Sequence, residues 1–231
     1  MKLGLMGGMF DPIHFGHLRA AENAREALGL DQVTFVPAAV PPHRAAPTAS
    51  AIDRYAMVAL ATANDPGFVP WDGELLRDGP NYTVDTAEAL LDENPGAALT
   101  LIVGADNLGL LPQWKEPARL LALCMVAVVG RPARRREGED EDEDGRIHFG
   151  GAPRRRAATP TNEPRRIHFG GADDPAAAAA GLDPARFIHV EGSHLPIASS
   201  ALRERVRAGR SVRYLVPDAV AGYIEKRRLY R

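Results

Sequence analysis

Short apolar runs alternate with longer stretches of helical spacing over the first 130 residues. KLGLM (2–6) is β-like and breaks at a Gly-rich turn. HLRAAENAREALGL (17–30) follows, with Leu18, Ala21, Arg25 and Leu28 on one helical face. QVTFVP (32–37) is β-branched and aromatic, which predicts a second strand. Strand, turn, helix and strand in that order form a βαβ unit, which requires a parallel pair and a right-handed crossover. The pattern then repeats. Residues 53–64 predict a helix, 68–73 a short strand, and 82–94 a helix ended by Pro95-Gly96. LTLIVG (99–104) and CMVAVVG (124–130) are continuous apolar runs, as expected of strands buried on both faces. Between them lie a loop with a short helix (105–114) and a helix over 117–123.

The pattern stops at Arg131. Residues 131–174 contain ten Arg and ten Asp/Glu in separate blocks, few large apolar residues, and a duplicated RIHFGGA. Segregated charge of this kind stays solvated, so the segment reads as a disordered insert within a single domain spanning 1–231. The α/β pattern resumes with a weak helix over 175–182, a strand over 187–192, and helices over 199–209 and 217–230.

Composition narrows the function classes. The chain has 231 residues, 45% hydrophobic and 25% charged, with a formal net charge of −2, so no global basic field invites nucleic acid. The single cysteine, Cys124, rules out an intramolecular disulfide and reads as a small buried apolar residue. Neither the N-terminal run nor Leu120 to Val129 reaches the ~20 apolar residues of a membrane span. The expectation is a cytoplasmic protein with no membrane partner.

Candidate chemistry centres on GGMFDPIHFGH (7–17). Its tetrapeptide IHFG recurs at 147–150 and 167–170, but only the first copy follows a strand and a Gly-Gly turn and runs into His17 and a helix. A helix N-terminus carries unpaired N–H groups and the positive dipole end, where phosphates bind. His14 and His17 flank that turn and can donate to phosphate oxygens. The site would lie beyond the carboxyl end of the first strand, where open α/β sheets place ligands. The other two copies have no second His and no helix, and read as low-complexity repeat.

This stretch resembles the signature of the HxGH nucleotidyltransferase superfamily, whose members are Rossmann-like open parallel sheets with helices on both faces. Within it the chain looks most like the bacterial nicotinate-nucleotide adenylyltransferases. PPHR (41–44), Arg54 with Met57, Glu74 with Asn81-Tyr82-Thr83, GADN (104–107) with Trp114, IASSALR (197–203) and the LVP…LY ending (215–230) carry that likeness. The resemblance covers nearly everything outside 131–180. It departs at Ala198 and Ala201, where a Ser and an acidic residue are usual.

The resemblance implies ATP + nicotinate mononucleotide → deamido-NAD + pyrophosphate, with Mg²⁺ accompanying the ATP. The mononucleotide phosphate is the nucleophile, so catalysis reduces to holding two anions and stabilising charge. His14, His17 and Arg203 are the expected catalytic donors. Gly7, Gly8, Phe10, Gly104, Asp106, Ser199 and Ser200 are expected to complete the ATP site, with the two serines capping a late helix. Thr83 and Trp114 are expected at the nicotinate ring, and His43 and Arg44 near the same mouth. The alternatives are a nicotinamide-preferring enzyme, phosphopantetheine adenylyltransferase, or a silent nucleotide-binding protein whose insert recruits a partner. Self-association as a homo-oligomer is left open by the sequence.

Overall fold

The structure is a computed structural model that describes residues 1–39, 47–77, 79–130, 182–193 and 195–231, together with the backbone of 167–169; Asp106 is described as backbone only. Among the described residues, seven strands form one sheet in the order β3-β2-β1-β4-β5-β7-β6. They are β1 (Lys2–Gly8), β2 (Gln32–Pro37), β3 (Phe68–Pro70), β4 (Ala98–Gly104), β5 (Cys124–Val129), β6 (Ile167–Phe169) and β7 (Phe187–Val190). All neighbours run parallel except β6, which pairs antiparallel with β7 at the edge. The chain moves outward from β1 through β2 to β3, then returns to β4 on the other side of β1. The β1/β4 boundary is therefore the topological switch point, the crevice where such sheets take ligands.

Alternation along each strand builds two cores. Leu3 and Leu5 of β1, Leu99, Leu101 and Val103 of β4, and Val126 and Val128 of β5 face one side. There they meet Val84, Ala87 and Leu90 of α3 (Thr83–Glu93), and Leu120 and Leu121 of α5 (Pro117–Leu123). Met6, Val33, Phe35, Ile102, Ala127 and Val129 face the other side. They are covered by α1 (Phe15–Leu28), α2 (Ala51–Thr62), α6 (Ser199–Arg207) and α7 (Asp218–Arg227). The open parallel sheet with helices on both faces is thus the architecture that the strand–helix alternation predicts. A four-residue helix, α4 (Ala105–Leu108), follows β4 directly.

Several boundaries differ from expectation by a few residues, two of them for identifiable reasons. Helix α2 starts two residues early because Ser50 caps it: its Oγ accepts the Asp53 N–H at 3.1 Å and donates to Asp53 Oδ2 at 2.6 Å. Helix α1 ends at Leu28 because Gly29 takes the left-handed conformation (φ 60°). Within the segment read as a structureless insert, Ile167–Phe169 forms β6, while the remainder of 131–174 lies outside the described residues.

Candidate active site

The loop from Gly8 to Pro12 connects β1 to α1 at the switch point. Its carbonyls are held from four directions. Ala38 N–H donates to Gly8 O (2.9 Å), Arg54 Nη1 to Met9 O (2.8 Å), Arg203 Nη1 to Asp11 O (2.8 Å) and Ser199 Oγ to Pro12 O (3.0 Å). Arg54 is fully buried, and burial lowers its pKa from the ordinary guanidinium value. A second Arg54 bond, Nη2 to Ala39 O at 3.4 Å, ties β2 to the same loop. Phe10 takes a left-handed backbone (φ 46°), and its buried ring packs edge-on to His17 at 5.1 Å.

His14 is the N-cap of α1, with extended backbone, and its N–H donates to His17 Nδ1 at 3.3 Å. That bond makes Nδ1 the acceptor and leaves the proton of neutral His17 on Nε2. The two imidazoles stack 3.7 Å apart and 19° from parallel. Burial pushes the pKa of His14 down to about 4. Burial, then the neighbouring His14, pushes that of His17 down to about 3. Both rings are therefore neutral donors at pH 7. His14 Nδ1 is buried and has no partner among the described residues. Gly16 is needed beneath it: a Cβ there would lie 2.9 Å from His14 Nδ1 and 3.2 Å from Leu195 O.

Arg203, on α6, reaches the loop from the opposite flank. Its Nη1 lies 3.8 Å from Asp11 Oδ2 besides bonding the Asp11 carbonyl, and its Nε is buried without a partner among the described residues. Asp11 itself accepts N–H bonds from Thr48 (2.8 Å) and Ala49 (3.2 Å) and the Tyr230 hydroxyl (2.8 Å).

Across the switch point, Gly104 ends β4 as the N-cap of α4, and Asp106 falls in that helix. Thr83 is the first residue of α3, whose N-cap Tyr82 supplies no side-chain cap. Buried Glu74 sets this helix end: its Oε1 accepts the Thr86 hydroxyl at 2.6 Å and its carbonyl accepts Asn81 Nδ2 at 3.2 Å. Burial raises the Glu74 pKa. Lys115 brings the Trp114 segment to the same place. Its Nζ bonds both Asp85 carboxylate oxygens at 3.1 Å and sits 4.7 Å from the centre of the Tyr82 ring. Trp114 is half-buried, with its side chain against the α3–α5 core.

With this geometry in place, the comparisons are decisive. A cytidylyltransferase-like family model matches residues 5–205. A chain named probable nicotinate-nucleotide adenylyltransferase from Aeromonas salmonicida is 40% identical, covering 99% of this chain and 97% of that one. The chain belongs to the nicotinate-nucleotide adenylyltransferase family. A second member of that name, from Geobacter sp., is 38% identical over 100% of this chain and 98% of its own. The family fold recurs in the Plasmodium falciparum nicotinic acid mononucleotide adenylyltransferase complexed with NaAD. It matches at TM-score 0.66 and 15% identity, covering 99% of this chain and 97% of that one.

For this adenylyltransferase-family chain, several expected site residues converge and others do not. His14, His17, Ser199 and Arg203 meet at the loop after β1. Gly7 and Gly8 end that strand, and Gly104 ends its neighbour. Thr83 opens α3, and Lys115, the neighbour of Trp114, bonds Asp85 in the first turn of that helix. Phe10 contributes the loop's left-handed backbone, and its buried ring packs edge-on to His17. The serine caps are corrected. Ala198 is the N-cap of α6, the Ser199 hydroxyl goes to Pro12 O, and Ser200 is exposed. His43 and Arg44 lie outside the described residues. Sequence reasoning gave no site role to Asp11 or Tyr230. Asp11 sits inside the signature; Tyr230 signals itself only as part of the LVP…LY ending. Among the described residues no helix is long and apolar enough to cross a membrane. Nucleotidyltransferases of this kind generally work with a divalent metal.

Proposed function

We propose that this chain joins the AMP moiety of ATP to nicotinate mononucleotide, giving deamido-NAD and pyrophosphate in cytoplasmic NAD biosynthesis. The observation that carries the reading is the stacked His14–His17 pair at the α1 N-terminus, facing the switch point, with Arg203 bonded to the same loop. The mononucleotide phosphate oxygen attacks the α-phosphorus of ATP. The bond from that phosphorus to the bridging oxygen breaks, and the electron pair leaves on pyrophosphate. No protein nucleophile is required. In this reading His17 Nε2–H and the His14 ring donate to the transferring phosphate, Arg203 and the exposed Ser200 hydroxyl hold the β- and γ-phosphates while Ser199 tethers the loop, and Gly104 with Asp106 takes the ribose.

The first turn of α3 offers N–H groups and the positive dipole end to the nicotinate carboxylate, with Thr83 beside them and Trp114 available to stack. That helix end favours the acid over the amide, and the relatives' names likewise specify nicotinate. Mg²⁺ is the proposed cation. Phosphate oxygens and water are its assigned ligands, since Mg²⁺ dehydrates reluctantly and is commonly held through substrate phosphates.

The test uses ATP labelled at either the α- or the γ-phosphate, with nicotinate mononucleotide. Label from the α position should appear in the dinucleotide and label from the γ position in pyrophosphate. The γ label arriving on the mononucleotide would replace this reading with phosphoryl transfer.

A further inference from the structure

The catalytic reading uses His14, His17 and Arg203 but leaves one buried contact unexplained. Asp11 is the residue to which Arg203 is tethered, and its carboxylate is 4% exposed as a residue. The carboxylate is fixed from two remote places. Thr48 and Ala49 donate N–H bonds from the segment preceding α2, and Tyr230 donates its hydroxyl to Oδ1 at 2.8 Å from beyond α7. Among the described residues, Oδ1 accepts the longer Ala49 bond, at 3.2 Å, besides the Tyr230 hydroxyl.

The delivery of Tyr230 is itself built. Helix α7 is pinned to α2 through Asp53, whose Oδ1 accepts from the Tyr223 hydroxyl (2.9 Å) and from Arg227 Nε (3.2 Å). The chain then leaves the helix through Arg228 in the left-handed region (φ 53°), and Tyr230 adopts the same region (φ 66°). Left-handed backbone is sterically disfavoured for a non-Gly residue. Surrounding structure must over-determine it, and such conformations cluster at functional sites. Here the buried ring (5% exposed) and its hydroxyl bond hold the conformation in place.

We propose that Tyr230 is a positioning residue for adenylyl transfer: its hydroxyl orients the Asp11 carboxylate, and Asp11 in turn sets Arg203 and the Phe10–His14 segment against the triphosphate. The proposal rests on the function given above. It assigns to the segment after α7 a direct line to the reacting groups, two bonds long. The line also explains why Asp11 is not simply a turn residue. Its carbonyl meets Arg203 while its carboxylate meets Tyr230, so displacement of one end moves the other.

The experiment is a double-mutant cycle on the full chain: wild type, Y230F, R203K and Y230F/R203K. Steady-state turnover with ATP, Mg²⁺ and nicotinate mononucleotide is measured alongside the ATP dissociation constant by calorimetry. Near-UV circular dichroism fixes a temperature at which every variant is folded. Y230F removes one oxygen and keeps the ring. It is expected to lower kcat/KM for ATP about tenfold, as a displacement below an ångström would, with KM for the mononucleotide within about twofold. Because both residues act through Asp11, the double variant should lose no more than R203K alone. A Y230F enzyme with wild-type kcat/KM for ATP, or losses that multiply independently, would overturn the proposal. If Y230F does not fold, D11N in cycle with R203K carries the same test with the same criterion. Wild type that releases no pyrophosphate would overturn the adenylyl-transfer reading alone, and the ATP dissociation constants would then decide the coupling.

Discussion

The His14 N–H donates to His17 Nδ1 while the two rings stack 3.7 Å apart, so one backbone bond fixes the tautomer of His17 within the proposed catalytic pair. Neither ring can charge cheaply, because burial disfavours the cation in each. The consequence for stability has a definite sign. Above pH 6.5 neither the folded nor the unfolded chain takes up these protons, and stability is flat. Below it the unfolded chain binds them first, so stability falls with decreasing pH until the folded values near 4 and 3 are passed. Each histidine contributes at most about 1.4 kcal/mol per pH unit in that window. Urea unfolding of the ligand-free chain from pH 7 to pH 4 checks this, with H17A giving the shallower slope. Imidazole resonances that titrate near pH 6.5 would contradict it.

Gly16 is where the packing of His14 is most exposed to a single methyl group. G16A should cost turnover on the order of 10²-fold, since the ring it displaces must sit within an ångström of its place. Helix propensity favours Ala over Gly inside α1 by up to about 1 kcal/mol. The thermal midpoint should therefore stay within a few degrees of wild type. A large stability loss with proportionate activity loss would mean that Gly16 serves folding alone.

Arg54 tests the same loop from below. R54M removes the charged donor to Met9 O and Ala39 O and leaves two part-buried carbonyls without that partner. Bonds from charged donors contribute roughly 1.5–3 kcal/mol each, so about 3 kcal/mol of destabilisation is expected. Denaturant unfolding measures it. A loss under about 1 kcal/mol would show that water replaces the guanidinium.

At the α3 end, W114A should raise KM for nicotinate mononucleotide about tenfold and leave KM for ATP unchanged, the magnitude expected of one aromatic contact. W114F should recover most of the loss. Equal effects on both substrates would mean that Trp114 supports the fold rather than the ring.

How much of this was legible follows from the range of each interaction. The β1–turn–α1 unit and its HxGH chemistry are local, so residues 7–17 declare them. Six parallel strands were readable because their apolar runs are continuous and bounded by turn residues. The Asp11–Tyr230 bond joins positions 219 residues apart, and no local pattern encodes it. Arg54 is legible as part of the family likeness, but its burial and its bonds to the Gly8–Pro12 loop come from tertiary packing. The cap of α6 was off by one residue, a shift that turned Ser199 from a capping hydroxyl into a tether for Pro12. Ile167–Phe169 has the same letters as its copy at 147–149; its strand assignment comes from pairing with β7, which composition does not carry.

The central claim is that this site transfers adenylate to the acid form of the mononucleotide. Pyrophosphate release with ATP and Mg²⁺, comparing nicotinate mononucleotide with nicotinamide mononucleotide at equal concentration, tests it most directly. The account predicts at least a tenfold preference in kcat/KM for the acid, about 1.4 kcal/mol of transition-state discrimination at the α3 N-terminus. Equal or reversed preference would contradict the assignment of that helix end to the nicotinate carboxylate. Release with neither substrate would contradict adenylyl transfer itself.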